Sequence, residues 1–171
     1  MKKLLEANDI KVIMTRSGDT YPTLDERPEL AIEKGAALFL SIHVNSTNDT
    51  VSTANGIEIY YSTQNNSDDY GINSKTFAEL VQKNVIANTK AKDRGVKTAN
   101  YLVVRKATMP AALIEMGFLN NPEELEKLSS EEYQDKIAKG ISKGIISATT
   151  KVVFPTEAEE TENTEETQEA K

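Results

Sequence analysis

The stretch "AALFLSIHVNS" constrains the fold of this chain most. From Ala36 to Ile42 it is apolar but for Ser41, then it ends at His43, the single histidine of 171 residues. A nearly continuous apolar run of this kind reads as a strand covered on both faces. A strand covered on both faces needs a layer of structure on each side, which points to a layered α/β domain.

The segments around it alternate in kind. "MKKLLEAND" reads as the last turns of a helix with Leu4 and Leu5 on its apolar side, and "IKVIMTR" (10–16) as a strand. Thr23, with Glu26 three residues on, forms a capping box that opens a helix over "LDERPELAIEKGA"; Pro28 should cost that helix one backbone hydrogen bond. "GIEIYYS" reads as a strand and "TQNNSDDYGIN" as a polar loop. "SKTFAELVQKNVIANTK" places Phe77, Leu80, Val81 and Val85 at helical spacing. "NYLVVRK" and "AALIEMGF" read as two more strands. Asn121 then caps a short helix with Pro122 at its first position. A second capping box, Ser129 with Glu132, opens a last helix on which Tyr133, Ile137, Ile141 and Ile145 repeat every four residues. The fold expected is α/β, a mainly parallel twisted sheet with helices on both faces.

Charge divides the chain into a body, 1–152, and a tail, 153–171. The net charge is -7, and residues 155–171 hold seven Glu and one Lys of it. The remaining 20 acidic and 19 basic residues nearly cancel, so no basic stripe suggests a nucleic-acid partner. The acidic tail has too little apolar surface to offset its ordering entropy and is expected to be a disordered terminus or linker. Without cysteine there is no disulfide, thiolate metal site or Cys nucleophile. No apolar run is long enough for a membrane span, and the start of the chain does not read as a signal peptide.

Two residues stand out chemically. His43 lies at the carboxyl end of its strand, where ligands gather in such sheets. It reads either as a cleft-facing imidazole or as a hydrogen-bonded core residue. Glu115 puts one carboxylate inside the apolar strand "AALIEMGF". A buried carboxylate requires a partner, a metal or a solvated pocket, so Glu115 is either a general base or half of an ion pair with a residue such as Arg105. Asn45 either contacts substrate or caps a turn. Arg16 and Asp19 read as a pair that pins a turn, Arg27 as a solvated surface residue, Glu58 as solvent-facing on an edge strand, and "RGVKTAN" as a loop. No phosphate loop, dinucleotide fingerprint or Gly-flanked nucleophilic serine is present.

In this order "IKVIMTRSGDTYPTLDERPELA", "AALFLSIHVNS", "GIEIYY", "RGVK", "YLVVRKATMPAALIEMGFLNNPEE" and "LSSEEYQDKIAKGI" resemble the zinc-dependent N-acetylmuramoyl-L-alanine amidases of bacterial cell walls. The resemblance makes 1–152 an amidase catalytic domain. It implies zinc held by two histidines and a glutamate, with a further glutamate acting on bound water. "SIHVN" carries the later metal histidine, His43, and "LIEMGF" the catalytic glutamate, Glu115. The implied reaction cuts the amide between N-acetylmuramic acid and the L-alanine of the stem peptide, in an autolysin-like monomer working outside the cell or in the wall. Peptidoglycan is the implied partner.

The sequence departs from that pattern at its start. Nothing before His43 is a histidine, so the reading is of a member lacking its first strand, the start of its first helix and two metal ligands. The chain alone is therefore expected to hold zinc weakly and to be inactive. A non-catalytic cell-wall-binding protein of the same fold is the alternative. A glycosidase pairing Glu58 with Glu115 is a third reading.

Overall fold

The computed structural model describes residues 1–65 and 67–154. At its centre a four-stranded sheet runs in the order β1 (Phe39–Asn45), β4 (Ala111–Phe118), β2 (Ile57–Tyr61), β3 (Asp93–Thr98). β1 pairs with β4 and β2 with β3 in parallel, while β4 and β2 are antiparallel. The sheet is thus mainly parallel, as the sequence leads one to expect, with one antiparallel seam at its middle.

Helices cover both faces. α1 (Lys2–Glu6), α3 (Ser74–Thr89) and α6 (Glu131–Thr149) lie on one. Phe77, Val81 and Val85 of α3 and Ile137, Ile141 and Ile145 of α6 pack there with Ile57, Ile59 and Ile114 of the sheet. Full burial of such a side chain is worth about 1.5–3 kcal/mol. α2 (Glu26–Glu33) and α4 (Leu102–Arg105) cover the other face, where Ala31, Val103 and Val104 meet Phe39, Ala111 and Leu113. α5 (Pro122–Leu128) follows β4, and its buried Glu124 accepts a 3.0 Å hydrogen bond from the Gly56 N–H at the entry to β2.

Local chemistry sets the helix ends. The Thr23–Glu26 box is reciprocal: Thr23 N–H donates to Glu26 Oε2 (2.6 Å) and Glu26 N–H to Thr23 Oγ1 (3.3 Å). Asn73 caps α3 through Thr76 N–H, and Asn121 caps α5 through Glu123 and Glu124 N–H with Pro122 just inside. α6 is capped one residue later than the sequence pattern suggests, by Ser130, whose Oγ accepts from Tyr133 N–H (3.3 Å).

Several expected elements differ. Residues 10–16 make no sheet ladder among the described residues; Ile10 and Val12 instead lie against the α3–α6 core. Leu5 is buried in that core, but Leu4 is exposed. "YLVVR" is not a strand: its β-branched residues give it strand composition, yet the chain closes into the single turn α4 with Val103 and Val104 buried. "DRGVKT" is the strand instead, a charged edge without the apolar alternation that marks a buried strand. The acidic tail, apart from Val153 and Phe154, lies outside the described residues.

Gly140 and Gly144 of α6 let α3 approach closely. A Cβ at Gly140 would stand 2.7 Å from Val85 Cα, and one at Gly144 2.6 Å from Val81 Cα. Both obstacles are backbone, so the helices would have to separate. Gly140→Ala and Gly144→Ala should each destabilise the domain by about 1–3 kcal/mol in urea unfolding. Alanine's better helix propensity, about 1 kcal/mol, would otherwise stabilise it; a net gain at both sites would contradict this packing.

Candidate active site

Strand register lines up the polar groups. His43 of β1 sits directly opposite Glu115 of β4, and Glu115 opposite Glu58 of β2. Directly opposed residues project from the same face of a sheet, so the three side chains form one row. The row lies on the α2–α4 face, at the carboxyl ends of β1 and β4 and the amino end of β2. Ser41 and Leu113 precede His43 and Glu115 on that face, so the row begins where the apolar packing under α2 and α4 stops.

His43 is half-buried, and its Nε2 shares a 2.9 Å hydrogen bond with Ser41 Oγ. Burial, reinforced by the charge of Arg27, lowers its pKa, which favours the neutral ring. Arg27 is not a solvated surface residue. It is partly buried, its Nε donates to Pro22 C=O (3.1 Å), and its guanidinium lies over the Tyr21 ring.

Glu115 is half-buried, and its Oε2 is fully enclosed without a hydrogen-bond partner among the described residues. Burial first, then the neighbouring Glu58 charge, push its carboxyl up to about 7. The expected alternative of an ion pair with Arg105 is not what forms, because Arg105 Nη1 donates to Asn100 Oδ1. Arg16 likewise pins its turn by donating to Thr20 C=O, not through Asp19.

Glu58 corrects the sequence reading most. β2 is an interior strand, and Glu58 is only 2% exposed. Four donors saturate it. Asn45 Nδ2 (3.1 Å) and Tyr60 Oη (2.9 Å) donate to Oε1, while Arg94 Nε (2.7 Å) and Lys97 Nζ (2.5 Å) donate to Oε2. Burial alone would raise its pKa. The Lys97, Arg94 and Tyr60 hydrogen bonds and the Arg94 charge together outweigh burial and bring it to about 2. Asn45 therefore reaches across β4 to Glu58. Sequence reasoning left Glu58 as solvent-facing or as a glycosidase partner of Glu115, read Arg94 and Lys97 as part of a loop, and missed Tyr60. The signal that singled out Glu115, a lone carboxylate in an apolar run, was also present in "GIEIYY".

A catalytic zinc site takes three protein ligands. His43 offers one imidazole with Glu115 beside it, but both oxygens of Glu58 are already spoken for. Among the described residues no group of three His, Cys, Asp or Glu side chains stands together to hold an ion. The donors of this face do not complete a zinc centre.

Comparison with known proteins places the chain. The sequence model of the N-acetylmuramoyl-L-alanine amidase family matches residues 1–147. The chain belongs to that family. It is 41% identical over 143 residues to the Bacillus subtilis N-acetylmuramoyl-L-alanine amidase LytC, covering 84% of this chain and 28% of LytC. It is also 41% identical over 133 residues to B. subtilis YqiI, covering 78% of this chain and 61% of YqiI. The chain thus spans less than two thirds of either relative. Among solved structures, the catalytic domain of the amidase CwlV from Bacillus (Paenibacillus) polymyxa superposes with TM-score 0.78 at 35% identity, over 88% of this chain and 79% of that one. The amidase fold expected from the sequence is therefore the fold found.

The Glu58 network makes a pH prediction. Folding lowers the Glu58 pKa from its ordinary 4.5 to about 2. The ionised carboxylate therefore stabilises the native state above pH 4.5, and that contribution is lost as pH falls towards 2. The loss should be on the order of 3 kcal/mol. Denaturant unfolding across that window should show it, and Glu58→Gln should flatten the acid dependence; an unchanged slope in the variant would contradict the network.

Proposed function

We propose that this chain carries the catalytic face of a peptidoglycan amidase, hydrolysing the amide between the lactyl group of N-acetylmuramic acid and the L-alanine of the stem peptide. The observation that carries this reading is the direct register pairing of His43 with Glu115, inside the region that matches the family. Its workplace is then the cell wall, outside the cell, as a monomer acting on peptidoglycan. No described helix is long and apolar enough to cross a membrane.

Within this reading Glu115 is the proton carrier. A carboxyl poised at about 7 is present in both protonation states near neutrality. It can accept the proton of the attacking water and return it to the leaving amine. The neutral His43 ring is suited to bind a metal through one nitrogen while the other is held by a hydrogen bond. Asn45 and Glu58 flank the pair. Asn45 spends one of its two amide N–H donors on Glu58 and accepts from Ser46 N–H at Oδ1, which leaves its second N–H for a substrate group. The glycosidase pairing gains no support, because four donors occupy the Glu58 oxygens and leave no lone pair free to attack a sugar.

Zinc is the cofactor that the resemblance implies, with His43 as one holder. Since the described residues supply no three-ligand set, isothermal calorimetry of the purified chain should find no sub-micromolar one-to-one zinc binding. Tight stoichiometric binding would contradict this count of donors.

Purified sacculi test the function. Any turnover should release new L-alanine amino groups and no reducing sugar ends. Glu115→Gln should lower it by about 100-fold or more while binding of N-acetylmuramoyl-L-alanyl peptides persists. New reducing ends, undiminished turnover in Glu115→Gln, or a chain that neither cleaves nor binds these peptides would contradict the proposal.

A further inference from the structure

The network around Glu58 holds two cations for one buried carboxylate. Arg94 is held from two sides, with its side chain 28% exposed. Its Nε donates to Glu58, its Nη1 to Asn55 C=O (3.5 Å), and its guanidinium stacks 4.8 Å from the centre of the Phe118 ring. That ion pair by itself neutralises Glu58. Lys97 is differently placed. Its side chain is 39% exposed, and its ammonium spends one hydrogen bond on Glu58 Oε2. The same group sits 5.8 Å from the centre of the Tyr60 ring, which steadies it. Two of the three ammonium donors are free of partners among the described residues.

Position adds to this. Lys97 belongs to the edge strand β3 and pairs in register with Tyr60. Its side chain turns back over β2 to Glu58, the register partner of Glu115. Neighbouring strands are about 4.8 Å apart. The ammonium therefore stands roughly one to two strand spacings from the row of His43 and Glu115, on the same face and open to solvent.

We propose that Lys97 is a specificity residue that receives a carboxylate of the substrate's peptide, one residue beyond the amide that is cut. This rests on the amidase reading. In an N-acetylmuramoyl-L-alanyl substrate the next residue is commonly a γ-linked D-glutamate, whose α-carboxylate is free or amidated. Successive α-carbons are about 3.8 Å apart, so with the L-alanine amide at Glu115 that carboxylate falls within reach of Lys97. An ammonium held beside a saturated carboxylate distinguishes acid from amide through a charge-assisted hydrogen bond.

The single histidine provides the test. Its ring resonances, which sit in the same row, can be followed by NMR while two ligands are titrated: N-acetylmuramoyl-L-alanyl-D-glutamate and the same compound with its α-carboxylate amidated. The native chain should bind the acid about tenfold more tightly than the amide. Lys97→Met should bring the acid down to the amide's affinity for the same variant, and a native-like dispersed proton spectrum shows that variant to be folded. Lys97→Arg should keep the preference. Equal binding of the two ligands by the native chain, or a preference that survives Lys97→Met, overturns the role of Lys97 alone. If neither ligand shifts the His43 signals, the amidase reading fails and this inference with it.

Discussion

The antiparallel seam between β4 and β2 governs the rest of the structure. It sets Glu115 and Glu58 side by side on one face, and the parallel pairing of β1 with β4 adds His43 to the same row. Two carboxylates that close repel, and burial makes the repulsion stronger. The protein resolves this asymmetrically. Glu58 receives four donors and stays ionised, while Glu115 keeps an enclosed oxygen without a partner among the described residues and is driven up to about 7. The charge that is stabilised on one strand tunes the acid on the next.

The same arrangement joins packing to chemistry. α3 and α6 close against the opposite face, where the glycines of α6 let the two helices meet at backbone distance. That dense face carries the apolar burial and fixes the sheet. The row of polar side chains is left on the face where α2 and the single turn α4 cover only part of the sheet. The proposed proton carrier, Glu115, thereby has a rigid platform behind it and an open end of the strands before it.

Much of this was legible in the sequence. The apolar run ending in His43 announced a strand, although β1 is an edge of the described sheet with Ile42 exposed. The strand covered on both faces is β4, where "AALIEMGF" announced a buried acid that could not sit there without a reason. Asn121 marked the start of α5 through its side-chain oxygen, and the Thr23–Glu26 box marked the approach to α2, whose helical residues begin at Glu26. What escaped reading did so because pairing between distant segments decided it. Charged "DRGVKT" becomes a strand only because β2 offers it an edge. "YLVVR" becomes a helical turn although its residues favour strands. Glu58 seemed solvent-facing because alternation alone cannot tell an edge strand from an interior one. The placement of β2 between β4 and β3 buried it.

The central claim is that the one imidazole and the tuned acid share a face of the sheet as direct neighbours. Nuclear Overhauser contacts from the His43 ring measure this in solution, since no other histidine can contribute. Cross-peaks to the Glu115 side chain, with none to Val81 or Ile141 in the core behind the sheet, are the result this account predicts. Ring contacts to those core residues and silence towards Glu115 would contradict it.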